Sequence, residues 1–113
     1  MQLHVIVREL DLSVLSAEHL LDRPVGGGYV SDLLSDVLAN CRQGDIWITL
    51  HVHPNIVAVA SLKGVAAVVL SNGREPQDET LQKARQENLP ILVSDLSTFE
   101  LAGRIYKLLN EKQ

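Results

Sequence analysis

Two short stretches hold the residue types that could do chemistry. Residues 51–55 read His-Val-His-Pro-Asn, and residues 71–74 read Ser-Asn-Gly-Arg. His51 and His53, two apart on a strand, share one face and could together ligate a transition metal. A zinc site needs three or four ligands, and no companion stands at a recognisable spacing, so no metal is expected. Neither histidine has a partner forming a nucleophile–base pair. A small hydrolase or phosphotransferase using His51 or His53 is therefore the least supported reading, and no catalytic residue is assigned. Anion binding suits these residues better. Asn55 at a helix start, Ser71 and the Asn72-Gly73 turn offer N–H donors, and Arg74 supplies positive charge. Ser94 would complete the rim.

Three other features invite chemistry and receive plainer explanations. Gly26-Gly27-Gly28 could cradle a phosphate, but a P-loop ends in Gly-Lys-Ser/Thr, and Tyr29-Val30-Ser31 follows here. The triple glycine reads as a flexible bend or strand bulge leading into a helix. Asp32 and Asp36 are four residues apart, the spacing of a solvated helix face. Cys41 falls on an apolar helical stripe, which predicts a packed thiol rather than a reactive one.

The elements that must position these residues are legible from periodicity. Residues 2–10 fit either a helix (Leu3, Ile6, Val7, Leu10) or a β-branched strand, with the helix favoured. A short strand at Leu12–Leu15 follows, then a helical turn over Ala17–Leu21 capped by Ser16. Ser31 is the expected N-cap of a helix through Cys41 that buries Leu33, Leu34, Val37, Leu38 and Cys41. Ile46 to His53 reads as a strand. Pro54 opens a helix to Lys63 that is apolar on nearly every side, with Gly64 as its stop. The run Val65–Leu70 is that of a central strand covered on both faces. A helix from Pro76 or Gln77 turns Leu81 and Ala84 inward and ends at Asn88-Leu89. Pro90–Ser94 is the next strand. Ser97 and Glu100 form a capping box for a last helix to Asn110, with Leu101, Ile105, Leu108 and Leu109 on its apolar side. The tail, residues 111–113, is expected to fray. Three successive strand–helix units after residue 44 predict an α/β fold: one layered domain with a mainly parallel central sheet and flanking helices.

Bulk composition narrows the partners. The chain has 113 residues, 46% hydrophobic and 21% charged, enough for one domain with its own core. A net charge of -4 and only four aromatic residues disfavour a nucleic-acid partner. A single cysteine excludes an internal disulfide and fits a reducing compartment. Arg8, Glu9, Asp11 and Glu18 interrupt any apolar signal core. The most apolar run, residues 56–70, is too short and polar to span a bilayer. A cytoplasmic protein with no membrane partner is the expectation.

Residues 46–106 resemble the DRTGG domain, a regulatory α/β module named for its Gly-Asp-Arg and Thr-Gly-Gly motifs. Ile48-Thr49, Ile56, Ala60, Val68-Val69-Leu70, Pro76, Pro90-Ile91 and Ser97-Thr98-Phe99 fall in step with that family's pattern. The segment Gly27–Asp36 is similar to that of small stand-alone members, so residues 1–113 are expected to form a single DRTGG-like domain. The departures fall on the signature: His51-Val52-His53 stands where Gly-Asp-Arg would be, and Ser71-Asn72-Gly73 replaces Thr-Gly-Gly. The resemblance implies a fold similar to the N-terminal domain of bacterial HPr kinase/phosphorylase. It implies no kinase activity, because the kinase chemistry belongs to a P-loop domain absent from these residues. The family also accompanies CBS domains in regulated pyrophosphatases and occurs in long phosphotransacetylases, settings of regulation and self-association.

The resulting expectation is a non-catalytic regulatory domain without a cofactor. It is homodimeric through helix 54–64 and its small residues Ala58, Ala60 and Ser61. It binds a small anionic or nucleotide-type ligand, or a partner protein, at His51, His53, Asn55, Ser71, Asn72, Gly73, Arg74 and Ser94. A protein-interaction module with no small ligand is the alternative.

Overall fold

The computed structural model describes residues 1–111. The expected fraying of Lys112 and Gln113 lies outside the described residues. Five strands form one sheet: β1 (Ser13–Val14), β2 (Gly27–Val30), β3 (Asp45–Thr49), β4 (Ala67–Leu70) and β5 (Ile91–Val93). Their order is β1-β5-β4-β3-β2, with β2 to β5 mutually parallel and β1 antiparallel to β5. The helices are α1 (Leu3–Glu9), α2 (Leu34–Asn40), α3 (Asn55–Lys63), α4 (Asp78–Gln86) and α5 (Thr98–Asn110). This is the layered α/β domain the sequence implies. No helix among the described residues is long and apolar enough to cross a membrane.

The two-residue period of the strands sorts the core into two halves. Trp47, Val68, Leu70 and Ile91 pack with Val37 of α2, Ile56 and Ala60 of α3 and Ala84 of α4. Ile46, Ile48, Ala67, Val69 and Leu92 face the other way, against Leu3 and Ile6 of α1 and Leu101 and Ile105 of α5. All of β3 and β4 is buried, as a strand covered on both faces must be. Buried Trp47 satisfies its indole by donating Nε1–H to the Ser31 carbonyl at 2.9 Å.

Helix ends follow their local chemistry. Gly64 closes α3 in the left-handed region, φ 66°, returning its N–H to the Ala60 and Ser61 carbonyls. Ser97 caps α5 by accepting from the Glu100 N–H. Cys41 is a buried free thiol. Burial first, then the Asp45 carboxylate, pushes it up to about 11.

Several local expectations are corrected. The triple glycine is no bend: Gly27 and Gly28 begin edge strand β2, in register with Asp45 and Ile46. A Cβ on Gly27 would lie 3.0 Å from Asp45 Oδ1, so the approach of the two chains needs a bare backbone there. Helix α2 starts at Leu34 with Leu33 as its N-cap, two residues later than a Ser31 cap requires, and Leu33 and Leu38 are exposed. Ser16 caps nothing. Its hydroxyl donates to the Leu89 carbonyl and accepts from the Ile91 N–H, fastening the N-terminal segment to the approach to β5. The residues after it form a short 3-10 turn, Glu18–Leu20. On α3, Ala60 points into the core, while Ala58, Ser61 and Leu62 are exposed. The three small residues therefore do not share one face.

Candidate functional site

The parallel strands end along one edge, where four loops meet: residues 31–33, 50–54, 71–77 and 94–97. Strand order runs β2-β3-β4-β5 without reversal, and α2, α3 and α4 all pack on one face. There is no switch point in this run where connections part to opposite faces and open a deep crevice. The cleft at the edge is accordingly shallow, about 260 Å³, and lined by Asp32, Leu50, His51, Val52, His53 and Arg74. That volume sits at or below the low end of small-molecule sites, roughly 300–1,000 Å³. It suits a phosphate-sized group better than an enclosed nucleotide.

The loop after β3 is held from outside itself. Asp32 Oδ1 accepts from Thr49 Oγ1 at 2.7 Å and from the Leu50 N–H at 2.8 Å. Thr49 Oγ1 also accepts from the His51 N–H at 3.2 Å. From the other side, Thr80 Oγ1 and the Gln77 N–H both donate to the Val52 carbonyl. His51 and His53 thus lie beyond the end of β3 rather than on it, yet both line the cleft. His53 Nδ1 accepts from the Asn55 N–H at 3.1 Å, which leaves Nε2 to carry the proton of the neutral ring. The Val52 and His53 N–H groups donate to no other group among the described residues. Arg74 makes no ion pair among them.

The loop after β4 is built differently. Asn72 and Gly73 both have positive φ, 58° and 64°. Their N–H groups donate to the Leu96 and Ser94 carbonyls at 2.8 Å each, and Arg74 donates its own to Ser71. Ser71 is wholly buried, its hydroxyl 2.5 Å from that of Thr98. Ser94 is buried too, its hydroxyl accepting from the Leu96 N–H. The turn expected to present donors to an anion has committed those donors to the chain. Asn55 likewise has its N–H engaged by His53.

Of the eight residues singled out in the sequence, His51, His53 and Arg74 converge in the cleft. Asn55 stands beside it at the start of α3. Ser71, Asn72, Gly73 and Ser94 brace the neighbouring loops. Sequence reasoning missed Asp32, taken for a solvated helix face, and the open N–H pair of residues 52 and 53. Asp32 follows β2 by two residues, and that placement at the carboxyl edge was the available signal. Asp36, its supposed companion, lies elsewhere: it accepts from Tyr29 Oη and Asn40 Nδ2. Those two donors, Tyr29 first, and Ser31 after them lower the Asp36 carboxyl below the ordinary carboxylate value. No group of three or more His, Cys, Asp or Glu able to hold a metal ion occurs among the described residues.

Fold and edge together define a small α/β module of the kind that carries ligands at strand ends. The DRTGG domain family model matches residues 5–108, and the chain belongs to that family. Among solved structures it is similar to the CBS and DRTGG domains of the regulatory region of Clostridium perfringens pyrophosphatase, complexed with the activator diadenosine tetraphosphate. The match has a TM-score of 0.71 at 17% identity and covers 93% of this chain. This chain spans 46% of that one, under half its length. No curated protein matches the sequence.

Proposed function

We propose that residues 1–113 form a non-catalytic regulatory domain of the cytoplasm, homodimeric, that binds a small anionic or nucleotide-type ligand at its carboxyl edge. One observation carries the reading: His51, His53 and Arg74 line one shallow cleft, Arg74 makes no ion pair among the described residues, and the Val52 and His53 N–H groups of the same loop donate to no group among them. All of these can donate hydrogen bonds, and anionic oxygen accepts such bonds strongly. Asp32 also lines the cleft and its charge opposes an anion there, so Arg74 has to outweigh it, while Thr49 and Leu50 engage one of its two oxygens. The cleft has room for a phosphate, with the remainder of a nucleotide lying across the rim of His53 and Asn55. The pyrophosphatase regulatory region, solved with a dinucleoside polyphosphate activator, supports a regulatory role for the shared fold.

Calorimetric titration with inorganic phosphate, AMP, ATP and diadenosine tetraphosphate tests the proposal. Binding should disappear in Arg74→Ala and weaken in His51→Ala. At a hundredfold excess over Kd, a true ligand adds about 2.7 kcal/mol of stability, visible as a rise in Tm. A null result across the panel would leave the alternative, a protein-interaction module with no small ligand. That second reading has its own support in an apolar hollow beside α5, which shares no lining residue with the cleft.

A further inference from the structure

A hollow of about 720 Å³ lies between α5 and edge strand β2. Gly28, Val30 and Ile48 contribute from the sheet, and Ala102, Gly103 and Tyr106 from the helix. Its surroundings are unusually apolar for a surface. Phe99 is 90% exposed, Tyr106 70% and Val30 47%.

We propose that this face seats the same face of a second copy, α5 against α5, across a two-fold axis near Ala102-Gly103. The inference deepens the self-association proposed above and rests on it. A two-fold interface must be complementary to itself. Phe99, Ala102, Gly103 and Tyr106 follow one another at i, i+3, i+4 and i+7, so they share one side of the helix. Read outward from the 102–103 midpoint, that side is symmetric: small then aromatic in both directions. Antiparallel helices crossing there set Phe99 of one copy opposite Tyr106 of the other, with the small residues at the crossing.

Gly103 supplies an independent argument. A glycine in mid-helix weakens the helix, and nothing within this chain requires one, since an added Cβ meets no atom within 4 Å. A bare backbone at an exposed position is what close approach of another helix would use. The area is adequate as well. Phe99 and Tyr106 at roughly 150–250 Å² each supply close to half of the roughly 800 Å² per partner in a standard interface. Val30, Leu109 and the hollow's rim add to it. The exposed side of α3 offers less, with Leu62 its one large exposed apolar group and a hollow of about 290 Å³ at its end, lined in part by Ser61 and the polar Arg23, Glu87 and Asn88.

The test combines light scattering over the micromolar range with oxidative cross-linking of two single variants, Ala102→Cys, which keeps Gly103 bare, and Leu62→Cys. The native cysteine does not interfere, because Cys41 is buried. The wild type should be a dimer. Ala102→Cys should form a covalent dimer under mild oxidation, whereas Leu62→Cys should not. The pair Phe99→Glu with Tyr106→Glu should weaken the dimer by more than about tenfold. The circular dichroism of the dilute protein should stay unchanged, as both residues are exposed. A monomeric wild type overturns both this interface and the self-association it rests on. Cross-linking through Leu62→Cys but not Ala102→Cys overturns this interface alone and leaves a dimer through α3. A monomer whose hollow takes up an apolar dye would assign the face to a small apolar ligand, and it too overturns the second copy.

Discussion

The loops after β3 and β4 leave neighbouring strands at the same edge, and they use their polar groups in opposite ways. Residues 71–74 turn inward: three consecutive N–H groups and the Ser71 hydroxyl all find partners in the chain, mostly in residues 94–98. Residues 50–55 are propped from outside by Asp32, Gln77 and Thr80; His51, Val52 and His53 line the cleft, and the Val52 and His53 N–H groups donate to no group among the described residues. Position at a strand end therefore does not make a binding loop. A loop that satisfies itself is a brace, and one that neighbouring elements support keeps its donors for something else. Arg74 joins the two, since its backbone belongs to the brace and its side chain to the cleft.

Substitutions should separate these two roles. The largest effect is expected in the brace, at Gly73→Val. A β-branched residue at φ 64°, with its Cβ 3.1 Å from Asp95 Oδ1, should cost about 2–3 kcal/mol in urea unfolding. Loss of ligand response without loss of stability there would erase the distinction. Next comes Asp32→Ala, which strands the Leu50 N–H and the Thr49 hydroxyl and should cost about 1–2 kcal/mol. Asp32→Asn keeps one acceptor and should cost less. In the cleft itself, Arg74→Ala and His51→Ala should change stability by no more than about 0.5 kcal/mol, while abolishing or weakening the calorimetric response to anions.

The smallest effect concerns a carboxylate outside both loops. Asp36 has a lowered folded value, so its contribution to stability is present above the ordinary carboxylate range and lost as pH falls through that lowered value. Asp36→Asn should lower stability slightly at neutral pH and converge with the wild type in acid, which flattens the acid limb of the profile. A large change at neutral pH would mean that the Tyr29–Asp36 pair bears on the sheet edge after all.

Much of the framework was legible because it depends on local pattern. The runs at 46–49 and 67–70, the Gly64 stop and the Ser97–Glu100 cap each need only neighbours in sequence. Edge strand β2 was not legible, because two of its four residues are glycine and offer no side chains to alternate. Ser16 and Asp32 were misread for a related reason. Each looks like a helix-start residue, and each is used by a backbone far along the chain, at Leu89 and Ile91 or at Leu50. In the candidate site, the side chains that gather were visible as His51, His53 and Arg74. The commitment of the Asn72 and Gly73 donors was not, since it follows from where residues 94–96 pass.

The pairing of β1 with β5 also sets an order of events during synthesis. Ser13 and Val14 take their places against Val93 and Leu92, and Ser16 reaches Leu89 and Ile91. A nascent chain can assemble β2, β3 and β4 as each emerges from the ribosome, but the first strand must wait for nearly the last. Until then the growing sheet shows an open side where β5 will lie. Helix α1 can dock earlier, on β3 and β4 and the 21–25 segment, so it is β1 alone that closes the fold.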